Sequence, residues 1–282
     1  MDLEINKQKL IIFFVIAFFI AVPLFAAYYL HHINFFHNPS ALTFSEKITL
    51  QEAGKMAGSQ SQNWWLNSGG VMEMADKTAQ TNFGPLPENS YWQKLYAKTN
   101  TRDTDGGFYP QNIFRLVTRN RWQDLDQQLY FNIDKINLSA SSFRDESNGV
   151  LLFNRYYDGD NLYYTGLRVD GHAVIKKKIS GIYYTLAEKD ILSGGKKYDR
   201  TDSPNFLPLH SWIGIRSVVT NIGSDAVDVK LYVDLDQTGS WQLVLEIQDK
   251  GNIHKTAPLT NSGHAGIRTD FMDVAFKDYK IQ

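Results

Sequence analysis

The chain has 282 residues, a formal net charge of −1 and no cysteine. The near-zero charge gives no overall attraction to nucleic acid or anionic lipid, and so argues against a nucleic-acid partner. The missing cysteine excludes disulfides, thiolate metal sites and a cysteine nucleophile. Fifteen Tyr and six Trp suit β-sheets and sugar-binding faces equally well.

The first element is apolar. Residues 10–30, LIIFFVIAFFIAVPLFAAYYL, carry no charge over 21 residues. At about 1.5 Å per helical residue this run spans a hydrocarbon layer of about 30 Å. Lys7 and Lys9 precede it, and the next Lys or Arg is Lys47. The positive-inside bias therefore predicts a transmembrane helix at 10–30, a cytoplasmic N-terminus at 1–9 and everything later outside the cytoplasm. A cleaved signal peptide is the rival reading; the run is longer than a usual signal h-region, and PLFAAYY is a loose cleavage site. Residues 31–62 read as a stalk, with a short helix in SEKITLQEAGKMA and a polar end at GSQSQ.

From residue 63 the pattern changes. Apolar runs become short, rich in β-branched and aromatic residues, and bounded by turn signals. Expected strands include GGVMEMA, YWQKLYA, NIFRLVTRN, QQLYFNIDKI, GVLLFNRYY, NLYYTGLRV, HAVIKKKI, GIYYTLA, SWIGIRSVVTN, DVKLYVDL, WQLVLEIQD and MDVAFKDYKI. Turns at DGDN, DG, SG, GSDA and QTGS separate many of them. A dozen strands without a long amphipathic helix predict one all-β, antiparallel β-sandwich over 63–282.

Residues 149–187, GVLLFNRYYDGDNLYYTGLRV followed by DG, HAVIKKK and GIYYTLA, resemble the middle of a laminin-G or concanavalin A-like jelly roll. SWIGIRSVVTNIGSDAVDVKLYVD resembles that fold's next hairpin, and GHAGIRTDFMDVAFKDYKI its closing strand. The likeness covers 63–282 and lies in the strand pattern, so it speaks to fold before activity. It implies a sheet face able to bind a polysaccharide or other glycan. It also admits a structural calcium at the sheet rim, for which Asp270 and Asp273 are the candidate ligands.

Two tight turns, Asp170–Gly171 and Ser180–Gly181, predict a three-stranded meander around the run Lys176, Lys177, Lys178. With two-residue loops, Lys176, Lys177 and Lys178 lie opposite Thr165, Tyr164 and Tyr163 on one side. On the other side they lie opposite Thr185, Tyr184 and Tyr183. Tyr163, Thr165, His172, Lys176, Lys178 and Tyr183 then share an outer face. Tyr164, Ile175, Lys177, Ile182, Tyr184 and Leu186 point to the core, where Lys177 must find a carboxylate or the sheet edge. Tyrosine rings stack on sugars, while Lys and His donate hydrogen bonds or pair with uronate carboxylates. The candidate glycan-binding residues are Tyr163, His172, Lys176, Lys178 and Tyr183, with Arg155 and Tyr157 alongside; a solvated sheet face is the competing explanation.

Enzymatic readings are less supported. A glucanase of this fold needs carboxylates spaced as E-x-D-x-x-E, and that spacing does not occur. Asp234 and Asp236 read as an acidic turn. The motifs of alginate-lyase-like enzymes do not match, although Arg155, Tyr157, His172 and the lysines have the chemistry a lyase needs. His210 and His264 sit singly beside turns, and no metalloprotease, phosphate-loop or nucleophile-elbow motif appears. A polysaccharide lyase or hydrolase on the same face, and a structural or protein-interaction module, remain alternatives to a binding domain. Oligomeric state is not legible.

Overall fold

The computed structural model describes residues 41–282. The expected transmembrane segment at 10–30 lies outside them. Among the described residues no helix is long and apolar enough to cross a membrane.

Sixteen strands and one α-helix follow in chain order: β1 (Leu42–Thr43), β2 (Ile48–Gln51), β3 (Trp64–Ser68), β4 (Val71–Ala75), β5 (Thr78–Thr81), α1 (Tyr91–Thr99), β6 (Ile113–Trp122), β7 (Leu125–Ile136), β8 (Gly149–Asp158), β9 (Asn161–Arg168), β10 (His172–Ile179), β11 (Ile182–Asp190), β12 (Ile213–Ile222), β13 (Ala226–Asp234), β14 (Gln242–Asp249), β15 (Gly263–Asp270) and β16 (Met272–Ile281). They form two antiparallel sheets. One runs β14-β13-β12-β7-β16-β5-β4-β2, with β1 also on β16; the other runs β11-β10-β9-β8-β15-β6-β3.

The chain crosses between sheets where a strand meets its sequence neighbour end to end. β6 passes into β7 and β15 into β16, while β15 lies beside β6 and β16 beside β7. This is the wrapping of a jelly roll, and it leaves one apolar core between the sheets. Phe271, at φ 54°, makes the crossing after β15. Phe44, Trp64, Leu129, Phe131, Leu152, Ile175, Ile267 and Phe276 are among the fully buried members of that core.

Two expectations change here. Residues 41–62 belong to the sandwich and not to a stalk: Leu42, Phe44 and Leu50 are buried in the core, and β2 pairs with β4. The only helix in SEKITLQEAGKMA is a 3-10 turn at Met56–Gly58. The segment YWQKLYA, expected as a strand, is α1. Ser90 caps it by accepting from the Gln93 N–H, which satisfies an otherwise unpaired first-turn donor. The helix sits directly on Gly107, where a Cβ would lie 2.1 Å from the Gln93 carbonyl oxygen, so any larger residue would displace it.

The meander around the lysines is half as expected. β10 and β11 pair with Lys176 opposite Thr185, Lys177 opposite Tyr184 and Lys178 opposite Tyr183. The connecting Ser180 and Gly181 both have positive φ, 50° and 83°, as a two-residue type I′ turn requires. β9 and β10, however, pair with Lys176 opposite Tyr164 and Lys177 opposite Tyr163. Their loop contains three residues, Val169 to Gly171, and not two; Gly171 supplies the left-handed position at φ 85°. One added loop residue inverts the faces of β9. Tyr163, Thr165 and Leu167 point inward and are buried, while Tyr164 moves to the outer face.

Candidate functional site

Lys177 reaches into the core as expected and finds a carboxylate. Its ammonium lies 2.7 Å from Asp249 Oδ2 and donates to the carbonyls of Thr256 (2.8 Å) and Ala257 (3.3 Å). The Tyr163 hydroxyl donates to the same carboxylate oxygen at 2.6 Å and accepts from the Leu259 N–H. Both ionic side chains are fully buried. The cluster ties the segment after β14 to the meander, so Tyr163 is a structural residue and not a surface contact.

Arg155 is also interior. A β-bulge between Asn154 and Asp158 places it at φ 49° and turns its guanidinium inward. There it donates to Asn221 Oδ1 and the Leu259 carbonyl and pairs with Asp124 at 3.3 Å. The Tyr157 hydroxyl both donates to and accepts from the backbone of Asn261. His172 lies 3.1 Å from Asp170 and lines a separate hollow of about 390 Å³ with Lys196, Lys197 and Tyr198. Lys178 is held at the β8–β9 turn by the Gly159 carbonyl (2.8 Å) and Asp160 (3.3 Å), with its ammonium over the Tyr183 ring.

Of the expected glycan contacts, Lys176 and Tyr183 enter a common site. A cleft of about 570 Å³ opens on the outer face of the seven-stranded sheet. Its floor follows from the register. Tyr164 on β9 lies opposite Lys176 on β10, and Leu151 on β8 opposite Arg268 on β15, which in turn faces Arg115 on β6. Gly166, opposite Leu151, has no room for a Cβ: one would meet the Val150 oxygen at 2.3 Å. Below the cleft Phe153, Tyr164, Leu151, Val117 and Val174 form a small second core that stiffens the floor. The segments before β6 and β8 complete the cleft with Asn100, Asp103, Phe143 and Asp145. The Phe143 ring is 65% exposed and Tyr183 is 47% exposed.

The charges in the cleft differ in their partners. Arg268 bonds Asp270 at 2.9 Å, lies 5.5 Å from the Tyr164 ring centre and donates to the Tyr183 hydroxyl at 3.3 Å. Burial would raise the Tyr183 phenol, but Arg268, a Tyr164 hydrogen bond and Lys178 together bring it below an ordinary tyrosine. Burial first, and then the like charges of Arg168 and Arg268, push the Lys176 ammonium down. Asp103 accepts from the Ser141 hydroxyl, and Asp145 from the Ser147 N–H and hydroxyl.

The expected calcium ligands are already engaged within the chain. Asp270 is paired with Arg268, and Asp273 accepts from the Gly84 N–H and the Gln111 and Asn137 amides. Among the described residues no three His, Asp or Glu side chains gather as a metal site would. Asp234 caps its own turn, accepting from the Thr238 and Gly239 N–H groups and the Tyr130 hydroxyl.

Sequence reasoning missed Arg115, Arg268, Phe143 and the outward Tyr164. Arg115 had a local signal, since Phe114, Arg115 and Leu116 alternate apolar and polar residues, whereas GIRTD does not alternate and gave none for Arg268. Their meeting across β6 and β15 is a long-range pairing that no local pattern contains.

No protein-family description and no curated protein matches the sequence. Among solved structures, the chain is similar to carbohydrate-binding module CBM66 from Bacillus subtilis, at 11% identity and TM-score 0.41, over 86% of this chain and 94% of that one. It is similar to a lichenase derived from a mouse hindgut metagenome, at 10% identity and TM-score 0.44, over 86% and 97%. It also resembles the VIP36 exoplasmic/lumenal domain, at 10% identity and TM-score 0.40, over 83% and 88%. Likeness at this level assigns neither ligand nor activity.

Proposed function

We propose that this protein binds carbohydrate, a polysaccharide or other glycan, in the outer-face cleft of its seven-stranded sheet. The observation that carries the reading is the cleft's composition: exposed Phe143 and Tyr183 rings beside Lys, Arg, Asn and Asp side chains. A sugar offers an apolar ring face and a rim of hydroxyls, so it needs an aromatic platform with several donors and acceptors close by. The test is a glycan array probed with the purified protein and with Phe143→Ala and Tyr183→Ala. Retention of a glycan that both variants weaken supports the reading; binding indifferent to both substitutions, or no binding, overturns it.

A polysaccharide lyase is the second reading, favoured by one observation. The Tyr183 phenol, lowered below its ordinary value, touches the Arg268 guanidinium, a pairing of base and charge neutraliser suited to proton abstraction next to a uronate. Growth of unsaturated-uronate absorbance on incubation with a bound polymer would select it, and binding without turnover would select the first.

Residues 10–30 support a membrane anchor with the sandwich outside the cytoplasm, by their 21 uncharged residues and the lysines at 7 and 9. Protease added to intact cells should then remove the sandwich and leave a short membrane-held stub. Protection of the sandwich inside the cell would reverse the topology, and its recovery free in the medium would exclude the anchor.

A further inference from the structure

We propose that the sugar bound in this cleft is anionic, and that its carboxylate or sulfate ester sits against Lys176, Arg115 and Arg268 around the Tyr164 ring. The proposal rests on the carbohydrate reading and adds the substrate class.

It starts from which cations of the sandwich have partners. Lys177 has Asp249, Arg155 has Asp124, Arg168 has Asp170 and Glu188, and Arg216 has Asp126. Each is a partly or fully buried charge answered by a carboxylate, as burial demands. Lys176 is only partly exposed, yet among the described residues its ammonium has neither an ion pair nor a hydrogen bond. Arg115, also partly buried, places one N–H on the Ser68 hydroxyl at 3.3 Å and has no ion pair among the described residues. A guanidinium carries five donors in a fixed fork, so most of its capacity faces the cleft unanswered. Arg268 uses one side for Asp270 and a terminal nitrogen for Tyr183, and its remaining nitrogen is free to donate.

All three line the one cleft, Lys176 from β10, Arg268 from β15 and Arg115 from β6. Arg268 and Arg115 are direct cross-strand partners, where like charges repel unless something anionic lies between them. Lys176 is the cross-strand partner of Tyr164, whose ring Arg268 overlies. Of the acids lining the same cleft, Asp270 is paired with Arg268, whereas Asp103 and Asp145 accept from the neutral hydroxyls of Ser141 and Ser147 and form no ion pair among the described residues. An anion seated here gains charge-assisted bonds from two cations that otherwise lack a partner. The depressed Lys176 ammonium agrees with this, since burial and then the like charges of Arg168 and Arg268 outweigh the opposing effect of Asp145 and Tyr183. The subsite differs from the lysine pair expected from sequence: Lys178 is taken by Gly159 and Asp160.

Calorimetric titration separates the claims. The probes are an oligogalacturonate with its carboxyl-reduced counterpart, a sulfated galactan oligosaccharide with its desulfated form, and any acidic glycan retained on the array with its neutralised form. The expected result is that an anionic member binds and its neutral counterpart binds at least tenfold more weakly. Lys176→Gln and Arg115→Gln should each lower affinity for the anionic member about tenfold, whereas Lys178→Gln changes it less than twofold and thermal melting confirms that all three remain folded. The pair that discriminates identifies carboxylate or sulfate. Equal binding of charged and neutral members, or binding unaffected by Lys176→Gln and Arg115→Gln, overturns the anionic subsite and leaves glycan binding standing. Absence of binding to every acidic and neutral glycan removes both.

Discussion

Lys176 and Lys177 are neighbours in sequence and opposites in environment. On the inner side of the meander, Lys177 has an ion pair, two carbonyls and a tyrosine sharing its carboxylate, with no contact to solvent. On the outer side Lys176 lines a cleft with no partner of its own. The same side chain is thus completed in one place and left open in the other. Where the fold buries Lys177 the chain supplies an ion pair; Lys176 faces Asp145 across the cleft and forms no ion pair among the described residues. That contrast gives the two faces different expected responses to mutation.

The inner cluster should respond most strongly. Lys177→Met leaves Asp249 buried without its counterion, for which a loss of about 3–5 kcal/mol is the usual scale. Pairing it with Asp249→Asn removes the orphaned charge, so the double variant should be more stable than the sum of the singles implies. Urea denaturation of the four proteins measures this, and additive losses would show that the pair is not coupled. Tyr163→Phe should cost less, about 1–2 kcal/mol, because it removes one hydrogen bond to a charged group and keeps the ring.

Removing outer-face charge should barely affect folding. Lys176→Gln and Lys178→Gln are each expected to shift stability by no more than about 0.5 kcal/mol, being partly exposed changes away from the core. Thermal melts test it. A large loss from Lys176→Gln would mean that its ammonium supports the sheet and is not held for a ligand.

The contrast also shows what was readable beforehand. Ser180–Gly181 is a turn whose two positive φ values belong to one hairpin type, so the β10–β11 register and the inward aim of Lys177 follow from local sequence. Asp170–Gly171 looks equally tight, but Asp170 is engaged by both Arg168 and His172 and the loop opens by one residue. Tyr163 and Tyr164 exchange faces for that reason alone. YWQKLYA has the composition of a strand and becomes a helix through its Ser90 cap and its seat on Gly107, of which only the first is local. Likewise the burial of Leu42, Phe44 and Leu50 depends on pairing with β4 and with β16, the latter far away in sequence, so 41–62 resembles a linker until those strands are in place. The cleft is assembled from seven separate stretches of chain, so its chemistry is legible residue by residue and its convergence is not.

The smallest effect expected is the most specific to the open cleft. Lys176 faces Arg168, Arg268, Asp145 and Tyr183, and burial with the two arginines lowers its ammonium below that of an ordinary lysine. Tyr183, lowered by Arg268, Tyr164 and Lys178 against the opposing effect of burial, ionises earlier than an ordinary tyrosine. Both shifts act in one direction. As pH rises into the alkaline range the cleft loses a positive charge and gains a negative one, so affinity for an anionic glycan should fall at lower pH than free lysine and tyrosine would dictate. Lys176→Arg keeps a charge that does not titrate there and should move the fall upward, leaving the Tyr183 contribution. Tyr183→Phe should remove that remainder, at some loss of affinity overall. Titrations of the three proteins with one anionic oligosaccharide across alkaline pH read this directly. A wild-type profile that stays flat there, or one that Lys176→Arg leaves in place, would show that neither group meets the anion.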